Sequence, residues 1–394
     1  MSSPSLVQQS SRPEGARAPS APTTMMVAVP PVAEIRGPLV GRATELDRLA
    51  GLVGLSDGAG GIPESDVLLS GDAGVGKTRL LAELRHRALE AGHRVLVGHC
   101  LDFGDSALPY LPFSEAFGRL ATESPALAQS LVEAAPAIAR LMPARRVLPS
   151  PSAPPDVERL DLAADEAPED PHLDRPDLFA AVHTALETLG RAQPLLLLVE
   201  DVHWADRSTR EMLSYLFSRR FTAPVAIVAS YRSDDLHRRH PLRQTASEWA
   251  RLPAVTRIDL APLGENDVRS LVESLHPEPL SERAVRGIVD RAEGNAFFTE
   301  ELVQAADMGP DAMPWGLVDV LLVRLDRLDE DARLVVRAAS ASGRRVPHAL
   351  LQSVVGDRVT SLDSALRTAV ERNVLLAMGS DGYAFRHALL AEAI

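Results

Sequence analysis

A single lysine stands apart among the basic residues of this 394-residue chain. Of the 41 lysines and arginines, 40 are arginine and only Lys77 is lysine. It lies in GDAGVGKT, residues 71–78, which has the G-x-x-x-x-G-K-[ST] spacing of a phosphate-binding P-loop. A compact ammonium fits inside a tight backbone loop and reaches the β- and γ-phosphates, whereas a broad, planar guanidinium does not. The segment therefore predicts binding of a nucleoside triphosphate.

The residues that match the P-loop pattern have expected roles in binding phosphate and Mg²⁺. Glycines let backbone N–H groups turn inward around phosphates, and the start of the following helix adds partial positive charge. The hydroxyl of Thr78 is expected to ligate Mg²⁺. The predicted nucleotide-binding residues of the loop are Gly71, Gly74, Gly76, Lys77 and Thr78.

Two adjacent carboxylates follow a second apolar run. Residues 195–199 read LLLLV, and Glu200 and Asp201 come directly after them. At the end of a buried strand, one carboxylate would hold Mg²⁺ through water and the other would orient or activate the attacking water. Many such sites place Asp first, whereas here Glu200 has that position. The sequence leaves the catalytic and metal-binding roles shared between the two.

Arg232 follows the next apolar strand, which is predicted over residues 224–230. In a P-loop fold that strand ends beside the γ-phosphate, so Arg232 is a candidate sensor of this phosphate. The alternative, which the sequence leaves open, is a surface ion pair with Asp234 or Asp235.

Strands alternate with helices through the first two thirds of the chain. The predicted strands are short and nearly all apolar, which is typical of a parallel sheet covered by helices on both faces. Beyond Pro262 helices dominate, and the order of elements after Pro347 suits a winged-helix module. The predicted parts are a disordered tail at 1–36, a P-loop NTPase domain at 37–262 with a mobile Pro-rich insertion at 143–176, a helical lid at 263–311 and a winged-helix module at 312–394.

Charge and composition limit the expected partners. The net charge is −13, so the chain has no bulk electrostatic attraction for nucleic acid. A single cysteine forms no intramolecular disulfide, which suits a reducing compartment. No apolar run approaches the roughly 20 residues that span a bilayer. We expect a cytoplasmic protein without a membrane segment.

Several short motifs together resemble the ATPase region of large ATP-binding transcriptional regulators of the LuxR type. Those regulators are signal-transduction ATPases with numerous domains (the STAND class), which are AAA-like P-loop NTPases. The resemblance covers about residues 37–394. The motifs that carry it are VGR at 40–42, EL at 45–46, the P-loop, PYLPF at 109–113, EDVHWAD at 200–206, GNAFFTEEL at 294–302 and FRHALL at 385–390.

The resemblance implies a P-loop domain, a lid and a winged helix that clamp ATP or ADP, with Mg²⁺, between them. In that class ADP holds a closed monomer, while ATP and an inducer favour an open, self-associating form. His387 occupies the place where related switches contact the β-phosphate of ADP, and Arg386 beside it is alternatively a cap of the strand. The implied function is a slowly hydrolysing nucleotide switch whose inducer the residues do not reveal.

One part of the family pattern is missing from these residues. Regulators of this type continue into helical repeats and a DNA-binding helix-turn-helix, whereas this sequence stops within an expected helix. We therefore expect a truncated winged-helix module and contact with DNA only through a C-terminal domain outside this chain.

Other functions use the same ATPase chemistry. One alternative is a motor or loader of the origin-binding AAA+ type, a ring in which Arg219 or Arg220 would serve as an arginine finger. Another is the same ATPase fused to a cyclase or a kinase. A scaffold that binds ATP without hydrolysing it is disfavoured, because it needs no pair such as Glu200 and Asp201.

Overall fold

The computed structural model of the protein describes residues 39–55, 61–102, 108–142, 175–237, 240–306, 313–326, 328–343, 345–378 and 382–394. The tail predicted at 1–36 lies outside these residues. So do positions 143–174 of the predicted insertion and the predicted boundary between lid and winged helix at 311–312. These three assignments stay predictions.

A five-stranded parallel sheet forms the centre of the N-terminal part. Its strands are β1 (Asp66–Gly71), β2 (Arg94–His99), β3 (Leu195–Glu200), β4 (Val225–Arg232) and β5 (Val255–Leu260). Their order in the sheet is β2-β3-β4-β1-β5, and every neighbouring pair is parallel. The predicted α/β architecture with a parallel sheet is confirmed.

Helices cover both faces of this sheet. They are α1 (Ala43–Leu52), α2 (Lys77–Glu90), α3 (Leu111–Glu123), α4 (Pro125–Ala134), α5 (Arg175–Ala192), α6 (Arg207–Ser218) and α7 (Pro241–Trp249). Along β3, Leu195 and Leu197 pack in the core under α3–α7, while Leu196 and Leu198 pack in the core under α1 and α2. Successive side chains of a strand face opposite sides, so a sheet that is buried twice needs an unbroken apolar run.

The C-terminal part is mainly helical. Its helices are α8 (Glu265–Leu275), α9 (Glu282–Ala292), α10 (Ala296–Gln304), α11 (Trp315–Asp326), α12 (Glu330–Ser340), α13 (His348–Val355), α14 (Leu362–Glu371) and α15 (Ala388–Ala393). A small antiparallel sheet of β6 (Arg345–Val346), β7 (Leu375–Ala377) and β8 (Tyr383–Phe385) has the order β6-β8-β7. Buried residues from Leu263 to Leu390 share one hydrophobic core. No helix among the described residues is both long and apolar enough to cross a membrane.

The register of the parallel strands determines which residues meet at the carboxyl edge of the sheet. His99 pairs with Glu200 across β2 and β3, and Gly71 pairs with Arg232 across β1 and β4. Parallel strands all end at the same edge. The P-loop, the carboxylates after β3 and Arg232 therefore lie side by side, although up to 161 positions separate them in the sequence.

Candidate nucleotide-binding site

The P-loop connects β1 to α2, and two of its glycines adopt backbone conformations that disfavour other residues. Gly74 has φ +78° and Gly76 has φ +103°. A Cβ on Gly74 would also lie 2.5 Å from Oδ1 of Asn295. At Gly76 the nearest such contact is the Cβ of Ala296 at 4.0 Å, so this face of the loop is open. The loop is tightly packed on one side and open on the other.

Lys77 lies inside this loop. Its side chain is 7 % exposed, and Nζ donates to the carbonyls of Gly71 at 2.8 Å and Asp72 at 2.9 Å. Burial lowers the pKa of the ammonium, while the nearby carboxylates of Asp234 and Asp201 act to raise it. The cation is thus held in place by the backbone of the loop and faced by negative side chains.

The two carboxylates after β3 have different surroundings. Glu200 is 9 % exposed and hydrogen-bonds to the hydroxyl of Thr78. Burial raises the pKa of Glu200, and the charge of Asp201 raises it further, while His99 lowers it. The Asp201 side chain is 36 % exposed, and its backbone N–H donates to Oγ of Ser230 at 3.2 Å. The structure brings Glu200, and not Asp201, to Thr78.

Arg232 lies at the end of β4, beside the start of the P-loop. Its side chain is 39 % exposed, and Nη1 is 3.9 Å from Oδ2 of Asp235. Asp234 takes a different role, because its Oδ1 accepts the backbone N–H of Ala73 at 3.1 Å. The position is compatible with a phosphate sensor and with an ion pair to Asp235, so the sensor role stays a prediction.

The GNAFF segment contacts the P-loop from the C-terminal half of the chain. Nδ2 of Asn295 donates to the carbonyl of Ala73 at 2.8 Å, and its Oδ1 caps α10 by accepting the N–H of Phe298 at 3.2 Å. The N–H of Phe297 donates to the carbonyl of Gly74 at 3.0 Å. These contacts give a structural reason for a motif that the sequence identified only by resemblance.

Arg386, which follows β8, also reaches the P-loop. Its Nη2 lies 2.7 Å from Oδ2 of Asp72, and Oδ1 of Asp72 accepts a hydrogen bond from Oγ of Ser233 at 2.7 Å. Burial alone would raise the pKa of Asp72, but the bonds from Ser233 and Arg386 lower it on balance. The side-chain amide of Asn373 donates to the backbone carbonyl of Asp234, which adds a second contact between the two regions.

His387 has a different neighbour. Its ring lies edge-on against Phe298 with the centroids 5.3 Å apart, and its charge acts on Asp72. The ADP-contacting role that the resemblance implies for it stays a prediction. Sequence reasoning did not select Asp72 within the P-loop, nor Asn295 and Arg386 that contact the loop, although the GNAFF and FRH motifs contained the last two.

Arg42 of the VGR motif supports the loop from behind. The side chain is 5 % exposed, and Nη2 donates to the carbonyls of Val75 at 3.2 Å and Ala261 at 2.6 Å. Nη1 pairs with Glu45 at 2.9 Å. A guanidinium has several donors in fixed directions, so one side chain can join the P-loop, the segment after β5 and α1.

A histidine and a carboxylate lie next to Glu200 at the end of β2. Nδ1 of His99 is 3.0 Å from the carboxylate of Glu115, which also accepts the backbone N–H of His99 at 2.9 Å. The hydrogen bond that Glu115 accepts raises the pKa of His99, and the charge of Glu200 acts in the same direction. This pair places the His99 imidazole, whose pKa is raised, near the carboxylate of Glu200.

The arrangement fits a nucleotide with Mg²⁺. The open side of the loop at Gly76, the confined cation of Lys77 and the start of the 14-residue helix α2 suit a phosphate chain. The hydroxyl of Thr78 and the carboxylate of Glu200 are hard oxygen donors that already lie together, as Mg²⁺ requires. These residues would hold the phosphates and the metal ion.

Comparison with known proteins agrees with this geometry. Residues 38–228 match the family described as the AAA ATPase domain. This part of the chain is similar to that family. The match includes the P-loop, the carboxylates after β3 and the first strands of the sheet, and it ends within β4.

Relatives are distant or much longer than this chain. An uncharacterized protein of Rhizobium meliloti (strain 1021) is 30 % identical over 383 residues, which are 91 % of this chain and 35 % of that protein. The chain thus spans about a third of the length of this curated relative. The solved structure of a Walker-type ATPase of Pyrococcus abyssi has a TM-score of 0.53 at 15 % identity and covers 90 % of this chain and 95 % of its own. This likeness shows the fold.

A more distant structure also matches over most of this chain. It is a signal transduction ATPase with numerous domains (STAND) from Pyrococcus horikoshii that has a tetratricopeptide repeat sensor. The identity is 14 % and the TM-score 0.38, with 92 % of this chain and 44 % of that chain covered.

Proposed function

We propose that this chain is the ATP-binding and slowly hydrolysing nucleotide switch of a signal-responsive transcriptional regulator of the LuxR type and STAND class. The observation that carries the proposal is the convergence of distant segments on the first half of the P-loop. Asn295 bonds to the carbonyl of Ala73, and Arg386 bonds to the side chain of Asp72. Parts that close over a P-loop respond to what the loop binds.

In this proposal, the residues at the carboxyl edge of the sheet have separate roles in binding and hydrolysing ATP. Lys77 and the loop N–H groups would bind the phosphates, and Mg²⁺ held by Thr78 and Glu200 would neutralise their charge. Asp201, which is more exposed than Glu200, would orient the attacking water. Arg232 would contact the γ-phosphate and so differ between the ATP and ADP states.

The switch depends on the parts that close over the loop. In this proposal the segment around Asn295 is the lid, and the module with Arg386 and His387 is a winged helix that closes on ADP. To move a two-state equilibrium from 1:99 to 99:1, ATP must favour the open form over ADP by about 5.5 kcal/mol. Release of nucleotide then requires opening, which makes turnover slow.

The proposed switch also has partners. ATP and an inducer would open the chain and allow it to self-associate, and DNA would be bound by a C-terminal domain outside this chain. The net charge of −13 supports a separate DNA-binding part, because this chain offers no bulk attraction for nucleic acid.

The test is to purify the chain, denature it and identify the released nucleotide by chromatography. A ligand at about 1,000 times its dissociation constant stabilises the fold by about 4 kcal/mol, so a closed switch should retain one. Stoichiometric ADP supports the proposal. An empty site with fast ATP turnover and ring assembly supports the motor alternative, and a chain that binds no added nucleotide overturns both.

A further inference from the structure

His203 is a buried side chain to which the chemistry above assigns no role. It lies in the 3₁₀ turn Val202–Trp204 between β3 and α6, and its ring is 4.9 Å from that of Trp204. The side chain is fully buried. Burial lowers the pKa of His203 strongly, and the charges of Arg232, Lys77 and His240 act in the same direction.

The ring nitrogens of His203 lie between two carboxylates. Nδ1 is 3.7 Å from Oδ1 of Asp201, and Nε2 is 3.4 Å from Oδ2 of Asp235. Neither nitrogen has a hydrogen-bond partner among the described residues. Leaving a buried polar group without a hydrogen bond costs about 1–3 kcal/mol. For packing alone, an apolar side chain of similar size would be more favourable here, so the two nitrogens need an explanation.

The two carboxylates belong to neighbouring strand ends of the candidate site. Asp201 follows β3, and Asp235 comes soon after β4 and lies 3.9 Å from Nη1 of Arg232. Through Asp235, the contacts of His203 thus extend from Asp201 after β3 to Arg232 at the end of β4. When the ring carries a single proton, it has one N–H donor and one acceptor nitrogen, and it can then donate to only one of the two carboxylates at a time.

We propose that His203 is a positioning residue that orients the Asp201 carboxylate for hydrolysis and couples it, through Asp235, to Arg232. This inference rests on the proposed function of the site. The backbone of Asp201 is already fixed, because its φ is +56° and its N–H donates to Ser230. A movement of the carboxylate by about 0.5 Å would bring Oδ1 within hydrogen-bond distance of Nδ1.

The test compares ATP turnover and nucleotide binding in variants of His203. His203→Ala is expected to lower kcat about tenfold, while KM for ATP and the dissociation constant for ADP change less than about twofold. His203→Asn places an amide nitrogen near the position of Nδ1 and should recover most of kcat. His203→Gln places one near Nε2 and should recover less, because it serves Asp235 instead of Asp201.

A second buried histidine provides the matched control. His93 is 4 % exposed and lies just before β2, at the edge of the sheet away from the P-loop. His93→Ala opens a similar space and should leave kcat unchanged once the folded fraction is corrected for. Equal losses in the two alanine variants, or no recovery in His203→Asn, would mean that His203 acts only through packing and would overturn the proposal.

Failure of this inference is distinguishable from failure of the proposed function. Absence of nucleotide binding in the wild-type chain overturns the proposed function itself. Wild-type turnover that His203→Ala leaves unchanged overturns the positioning role alone. Wild-type binding without turnover overturns the positioning role as well, because no hydrolysis is then left for Asp201 to assist, but it leaves the nucleotide-binding proposal intact.

Discussion

The two sides of the P-loop differ in where their residues come from. On its packed side, the loop is contacted by Asn295 and Arg386, which lie 222 and 314 positions beyond their partners in the sequence. On the side expected to hydrolyse ATP, Glu200, Asp201 and Arg232 all come from neighbouring strand ends of one sheet. The first side joins the two halves of the chain, whereas the second is built within the N-terminal half.

Because of this difference, we expect ATP turnover and the packing of the C-terminal half to depend on different residues. Substitutions on the hydrolytic side should change turnover while leaving nucleotide affinity and the packing of the C-terminal half intact. Substitutions at Asp72 or Arg386 should change how the C-terminal half is held while leaving the hydrolytic residues in place.

Lys77→Ala should have the largest effect, because it removes the only cation inside the loop. We expect nucleotide affinity to fall at least about a hundredfold, or about 2.7 kcal/mol, in isothermal titration calorimetry. Arg87→Ala is the matched control on the same helix, since it removes an exposed ion pair with Asp47 far from the loop. Unchanged affinity in Lys77→Ala would show that the loop is not the binding site.

Asp201→Asn should affect only the hydrolytic side. We expect kcat for ATP to fall at least about tenfold, or about 1.4 kcal/mol of barrier, with nucleotide affinity retained. Phosphate release under saturating ATP measures this directly. Glu200→Gln is the informative companion, because Glu200 lies at Thr78 and its loss should weaken the Mg²⁺ dependence of binding. Turnover that is normal in Asp201→Asn and lost in Glu200→Gln would transfer the water-orienting role to Glu200.

Breaking the ion pair between Arg386 and Asp72 should affect the side of the P-loop that contacts the C-terminal half. A double-mutant cycle with Arg386→Gln and Asp72→Asn is expected to give a coupling energy of about 1 kcal/mol in urea unfolding. Hydrogen exchange should increase around β8 and the P-loop in each single variant. As a control, Arg257→Gln breaks a more exposed pair with Asp259 and should not alter exchange at the P-loop. A coupling near zero would mean that this contact does not hold the two regions together.

Substitution of His99 should give the smallest effect, which is a change in how stability depends on pH. Its folded pKa is raised above 6.5, so its contribution is fully present below pH 6.5 and is lost as pH rises through the folded pKa. The difference in unfolding free energy between wild type and His99→Gln should therefore shrink between pH 6 and pH 8. Because His93 and His183 have lowered pKa values and act oppositely, the difference curve is the quantity to measure. A difference curve that rises with pH would contradict the pairing of His99 with Glu115.

Local sequence patterns predicted the sheet well and the helices on one of its faces poorly. The buried strand predicted over residues 195–199 lies within β3, because buried parallel strands are continuous apolar runs bounded by polar residues. The helices α3, α4 and α7 were missed. Each begins with proline within its first two positions, which is favourable at a helix start but is easily taken for a loop. The proline-rich PYLPF motif is in fact the entry to α3.

The sequence by itself determined that this chain has a P-loop, two carboxylates after a buried strand and an alternating α/β domain. Each of these depends on residues that are close in sequence, and local spacing therefore specifies them. Only the tertiary structure decided that Glu200 meets Thr78 and that Asp72 is paired with Arg386. Such contacts join segments whose separation along the chain leaves no periodic signal, since they form only when strand register and the packing of the C-terminal core bring them together.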